Sequence, residues 1–405
     1  MKAGWRKYQL GELAELRGRI GWRGLTAKEY QETGPLFLSV HSLNYGDYVD
    51  FRDAFHITEE RYQESPEIML RKNDVLICKD GAGIGKLGIV GELPDRATIN
   101  SSLLLIRHGR EILPKFLYWC LSSPYFQDIV SSRLNGATTP HLYQRDITEF
   151  PVVLPPLDEQ QRIVAILDEA FAGIATARAA TEQNRQNARA LFESHLQSVF
   201  SQRGEGWVEK TLEEAADSLC SLSYGIVQPG EEQPDGLPIV RPTDLGIKTI
   251  ELDGLKRIDP SLADSYRRTT LRGGDLLLCV RGSTGMISIA SDALAGGNVT
   301  RGIVPIHFDN TLVTQNFGYY LMRSEPVQQQ IREKTYGAAL MQINIRDLRN
   351  LILPIPPRAT QAELADKFES MLEETQRLEA LYQRKLEALD ELKQSLLYQA
   401  FSGNL

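Results

Sequence analysis

The stretch "VVLPPLDEQQRIVAILDEAF" (Val152–Phe171) decides how the chain is read. An apolar run stops at Pro155–Pro156, an acidic, glutamine-rich turn follows, and Ile163 and Leu167 open an apolar stripe at helical spacing. Proline ends a strand and is tolerated in the first turn of a helix, and Asp158 and Glu159 complement the positive helix end. This is a joint between a strand and a long helix. It returns about two hundred residues later as "IPPRATQAEL", pairing Pro155–Pro156 with Pro356–Pro357 and Gln160 with Gln361.

Working outward, the rest of the chain repeats in the same register. "LRKNDVLIC" ending at Cys78 recurs as "LRGGDLLLC" ending at Cys279, and "FLYWCLSSP" recurs as "FGYYLMRSE". "NGATTPHLYQRDI" recurs as "YGAALMQINIRDL", which pairs Gly136 with Gly337 and Asp146 with Asp347. Trp5 recurs as Trp207, and the offset stays at 200–202 throughout. A register held this long means an internal duplication. Each half opens with short β-type runs between Gly, Asn and Asp turns and ends in a long helix. The divisions are 1–154 and 204–355 for the mixed domains, and 155–203 and 356–405 for the helices.

The second helix carries a heptad seam: Leu364, Phe368, Met371, Thr375, Leu378, Tyr382, Lys385, Leu389, Leu392 and Leu396. The first carries Ile163, Leu167, Ala170 and Ile174, a polar middle at Thr181 and Asn184, then Ala188, Leu191 and His195. Each helix leads away from its own mixed domain, so pairing along their lengths makes them antiparallel. The expected fold is α+β: two repeated α/β domains joined by an antiparallel coiled coil, with a pseudo-two-fold. About 40 helical residues at ~1.5 Å each span ~60 Å, a little under two turns of B-DNA. The helices therefore have the length of a ruler between two reading heads.

Bulk properties agree with a multidomain globular protein. The net charge is −8 over 405 residues, and five of those excess charges fall in 151–206 and 351–405. Residues 1–150 are balanced, with 19 basic and 19 acidic side chains. The four cysteines (Cys78, Cys120, Cys220, Cys279) show no CxxC spacing, which argues against a disulfide framework and fits a cytoplasmic protein. No secretory h-region is visible, and the apolar runs are too short to cross a bilayer.

Reactive groups are not assembled in any known catalytic spacing. "LPPL" and "IPPR" lack the polar residue before the prolines and the aromatic after them that an amino-methyltransferase loop requires. "DGAGIGK" (Asp80–Lys86) has three residues between Gly81 and Gly85 and Leu87 after the lysine, so it is not a P-loop. Its counterpart "RGSTGM" has no lysine. The six histidines form no metal spacing. The chain reads as non-catalytic, with no cofactor or metal of its own.

Taken together, "NGATTPHLYQRDITEFPVVLPPLDEQQRIVAIL" before a long helix, all duplicated, resembles the specificity subunit of type I DNA restriction-modification enzymes. The resemblance covers essentially the whole chain and is weaker in the second copy, where "RATQ" stands for "LDEQ". It implies two target-recognition domains reading the halves of a bipartite double-stranded DNA site. It also implies helices that hold two modification subunits, which bind S-adenosylmethionine and methylate adenine. Restriction subunits using ATP and Mg can join. Base readout needs side chains that hydrogen-bond groove edges. The candidates are Arg19, Arg23, His41, Lys79 and Lys86 in the first half, and Arg241, Arg281, Ser283, Thr284 and Arg301 in the second. The halves differ most at "RGRIGWRGLTAKEY" against "CSLSYGIVQPGEEQ", so the two half-sites are expected to differ. The competing readings are a specificity chain of another DNA-modification or defence system, a coiled-coil scaffold without a DNA role, and a stand-alone methyltransferase.

Overall fold

A computed structural model describes residues 4–19, 25–134, 141–337 and 341–405. The chain divides into two compact units, Met1–Glu182 with Arg384–Leu405, and Gln183–Gln383. The sequence boundaries separate mixed domains from helices, whereas each unit combines one mixed domain with part of both long helices.

In the first unit, Ala14–Gly18, Leu103–His108, Val75–Cys78 and Leu87–Ile89 form an antiparallel sheet in that order. Its central strands are apolar at nearly every position because both faces are covered. Val75, Ile77, Leu104 and Ile106 pack with Phe116 and Trp119 of helix Pro114–Ser122 and with Ile163 and Leu167 of the long helix. Leu76, Cys78, Leu103 and Leu105 point the other way, toward a sheet of Phe55–His56, Gln31–Leu38 and Ala97–Ile99. The second unit repeats this plan. Its antiparallel centre is Ile287–Ala290, Leu276–Cys279 and Ile303–Ile306, and its second sheet is Lys256–Ile258, Leu237–Val240 and Asn298–Val299. Both edges differ: Thr249–Ile250 pairs in parallel with Ile287–Ala290, where the first unit has a single bridge from Tyr48 to Ile89, and a single bridge from Ala216 to Phe308 stands where the first unit has the strand Ala14–Gly18.

The joint is built alike in both units. Pro151–Leu154 pairs with Arg6–Gln9, Ile352–Ile355 pairs with Val208–Thr211, and the proline pair ends each strand. Helices Leu157–Ser201 and Arg358–Ser402 begin directly afterwards and run 45 residues each. Gln160 is fully buried; its carbonyl accepts from the Leu113 N–H at 2.8 Å, and its amide donates to the Glu111 and Pro155 carbonyls at 2.8 and 2.9 Å. Gln361 makes the same three bonds to Thr314, Leu312 and Pro356 at 2.9, 2.8 and 3.0 Å. The repeated glutamine thus ties the helix start to the loop that opens the short helices.

Within each unit the two long helices run antiparallel. In the first, Arg162 donates to the Leu405 carbonyl at 2.7 Å and Arg178 pairs with Asp390 at 2.5 Å. In the second, Arg189 pairs with Glu379 at 2.7 Å and the His195 ring meets Phe368 at 5.9 Å. Ile163, Leu167 and Phe368 are buried in the seam as expected, and Ile174, Leu364, Met371, Leu378 and Leu389 are half-buried. Leu191 and Leu392 correct the expectation: they are 54% and 47% exposed. Phe192, Leu386 and Leu397 are buried instead, so the stripe moves on by one position in the second half of each helix. The cause is that the helices also pack on the mixed domains. Phe192, Leu196 and Phe200 join Phe317 and Tyr320 in one core, and 3.6 residues per turn drift against a strict heptad. No helix among the described residues is long and apolar enough to cross a membrane.

Candidate nucleic-acid interface

In the first unit the strand Val75–Cys78 runs into a turn whose glycines are required by the backbone. Gly81 and Gly85 have φ of 80° and 84°, and a Cβ on Gly85 would lie 2.8 Å from the Gln127 side chain. Gln127 Nε2 donates to the Gly85 carbonyl at 3.2 Å and so fixes the turn to the helix beneath. Val40 packs on Gly83, where a Cβ would come within 2.7 Å of it. Three of the expected residues meet here. His41 is exposed on the turn Val40–Leu43, Lys86 Nζ donates to Asn44 Oδ1 at 2.7 Å, and Lys79 Nζ donates to Asp80 Oδ2 at 2.6 Å. His141 Nδ1 donates to the other Asp80 oxygen, and Tyr143, 61% exposed, lies edge-on to its ring at 4.6 Å. Burial pushes the Asp80 carboxyl up, but the bonds from Lys79 and His141 outweigh it and hold its pKa below the ordinary value.

Arg19 is not part of this cluster. Its side chain is only 4% exposed, with Nη2 3.1 Å from Glu64 and the guanidinium 6.0 Å from the Phe37 ring. Arg23 lies outside the described residues, as does the Gly136–Thr139 segment of the repeated motif.

The second unit builds the same turn with other side chains. Gly282 and Gly285 have φ of 88° and 95°, and Gln328 Nε2 holds the Gly285 carbonyl at 3.0 Å. Ser283 is exposed, and Thr284 Oγ1 donates to the Met341 carbonyl at 3.3 Å. Arg281 forms a backbone bridge with Gln342, and its Nε is buried without a partner among the described residues. Pro242 packs on Gly302 beside the Arg281 carbonyl, which places Arg241 next to the turn. Arg241 is committed to Asp244 through bonds of 2.8 and 3.1 Å, which raise its pKa. Arg301 is exposed, and its backbone N–H donates to Ile226 at 2.9 Å. Tyr224 beside it donates to the Ile343 carbonyl at 3.2 Å, and burial raises its pKa. All five expected residues of this half therefore gather around one turn.

Sequence reasoning missed Asn44, His141, Tyr143, Tyr224 and Gln342, and with them Tyr336, which is bridged through the backbone to Gln342. A signal existed for two of them, since His141 and Gln342 hold the same place in the repeat. Cationic, amide and aromatic side chains around a backbone-rich turn suit a nucleic-acid surface. Among the described residues no cluster of His, Cys, Asp and Glu could hold a metal.

The family model described as the type I restriction modification DNA specificity domain matches residues 2–183 and 231–388. The chain belongs to this family. The two matched regions fall one on each repeat, so each copy of the specificity domain carries one of the two turns. Similar proteins include the EcoBI specificity subunit of Escherichia coli, 25% identical over 72% of this chain and 65% of that subunit. The MjaVIII specificity subunit of Methanocaldococcus jannaschii is 20% identical over 84% of this chain and 80% of that protein. The specificity fold itself is matched by the HsdS subunit from Thermoanaerobacter tengcongensis, with TM-score 0.60, 19% identity, and 100% and 98% of the two chains covered. A chain from a type I restriction-modification assembly matches with TM-score 0.78, 20% identity, and 100% and 99% coverage.

Proposed function

We propose that this chain is the sequence-reading subunit of a type I restriction-modification complex, that it recognises a bipartite, asymmetric DNA site, and that it has no chemistry of its own. The observation that supports this best is the turn built twice on one frame with different side chains. Lys79, Lys86, His41 and His141 surround one copy; Arg281, Arg301, Thr284 and Gln342 surround the other. One backbone with two sets of hydrogen-bonding groups is what two unlike half-sites require. Methyl transfer to adenine, with S-adenosylmethionine, belongs in this reading to two modification subunits that the chain carries. ATP and Mg belong to restriction subunits that join them.

The test is methylome sequencing of cells with and without the gene. One bipartite motif with unlike halves should disappear with the gene. Recovery of a palindromic motif would count against the asymmetric reading, and methyl transfer by the purified chain alone would count against a non-catalytic role.

A further inference from the structure

The position shared by His141 and Gln342 has no assigned role. Each follows the short repeat segment, and each is bridged through the backbone to a residue of the glycine turn, Asp80 or Arg281. Both side chains are half-exposed beside the cationic groups of their unit. His141 Nε2 and the Gln342 amide have no hydrogen-bond partner among the described residues. The lysines and arginines at each turn suit phosphate contacts, whereas short side chains with fixed donor and acceptor atoms suit base edges.

We infer that His141 and Gln342 are the matching base-reading positions of the two repeats, and that Asp80 sets the polarity of the His141 contact. This rests on the DNA-reading function proposed above. The two oxygens of Asp80 divide their work: Oδ2 accepts from Lys79 and Oδ1 accepts from His141 Nδ1. A carboxylate oxygen cannot donate, so Nδ1 carries the hydrogen. In the neutral imidazole this tautomer leaves Nε2 as an acceptor. An acceptor in the major groove selects an exocyclic amino group, the N4 of cytosine or the N6 of adenine. Gln342 offers an acceptor and a donor together, the pattern that fits N6 and N7 of adenine. Asp80 acts through His141 and is a positioning residue. In D80N the ammonium of Lys79 keeps the amide oxygen, which turns the amide NH2 toward His141. Nδ1 then accepts, and Nε2–H becomes a donor suited to purine N7, guanine O6 or thymine O4.

The experiment co-expresses the chain with its adenine methyltransferase in a host without adenine methylation, followed by motif sequencing. Absence of any bipartite motif with the wild type would overturn the DNA-reading function itself. With that motif present, H141Q should change one base pair of one half-site, and Q342H one base pair of the other. D80N should change the same base pair as H141Q. Binding of each purified complex to duplexes substituted one position at a time should show a change of about ten-fold at that base pair alone. This second readout also serves a variant whose methylation is lost. An unchanged motif in H141Q and Q342H overturns the inference. So does a loss of affinity equal across all duplexes, which would make these residues backbone contacts.

Discussion

Replacing Gln160 by leucine tests the joint quantitatively. The side chain is fully buried and makes three hydrogen bonds, to the Leu113 N–H and the Glu111 and Pro155 carbonyls. Leucine is of similar size but leaves all three groups unpaired. Each unpaired buried group costs about 1–3 kcal/mol, and the added apolar burial returns about 1–2 kcal/mol. The expected net loss is about 4 kcal/mol. For a unit of this size 1 kcal/mol moves Tm by about 2–4 °C, so its transition should fall by about 10 °C. The buried Trp5 and Trp119 report the first unit by fluorescence, and Trp207 reports the second. Q160L should shift the Trp5 and Trp119 signal, and Q361L the Trp207 signal. Gln160→Glu separates bonding from packing, because it keeps the volume but turns a second acceptor toward two carbonyls. A loss below about 1 kcal/mol for both substitutions would refute the view of this glutamine as a hydrogen-bonded tie.

Other substitutions probe the remaining elements. Phe192→Ala should cost about 3–5 kcal/mol, whereas Leu191→Lys should stay within about 0.5 kcal/mol; reversed effects in denaturant titrations would restore the strict heptad. Lys86→Ala should weaken DNA binding of the complex alike on all sequences and reduce the log–log salt slope by about 1, measured by titration at several ionic strengths. Burial raises the Asp275 pKa, so the folded state holds this proton more tightly than the unfolded one. Its contribution therefore makes stability fall as pH rises from about 4 through the folded value, and Asp275→Asn should flatten that dependence in unfolding curves. Removing one heptad from both long helices should shorten the gap of the methylated motif by about three base pairs without changing the bases read.

The duplication, the joint and the apolar central strands were legible because they rest on local pattern. A proline pair followed by acidic residues, or "VLIC" flanked by turns, means the same wherever it occurs. The side chains that follow those strands, Lys79, Lys86, Arg281 and Thr284, were also legible, since the glycines beside them mark the turn. Arg19 was not, because nothing near it shows that Glu64 and the Phe37 ring take up its charge. His141 was missed for the same reason: its partner Asp80 lies 61 residues away. The seam failed at Leu191 and Leu392 because a heptad describes helices that touch only each other. Here the same face also meets a sheet domain.

The make-up of the first unit has a consequence for synthesis on the ribosome. Its core includes Leu397 and Ala400 and packs Phe401 against Phe116 at 5.2 Å, yet the rest of it is complete by residue 182. The second unit is contiguous, from 183 to 383. At about 5–20 residues per second, the half that is made first waits roughly 10–45 s for its missing helix segment. During that interval the second unit can finish folding, while the apolar faces of Phe116 and Phe171 stay uncovered. The order of completion is the reverse of the order of synthesis, and that wait is when this chain most needs protection from aggregation.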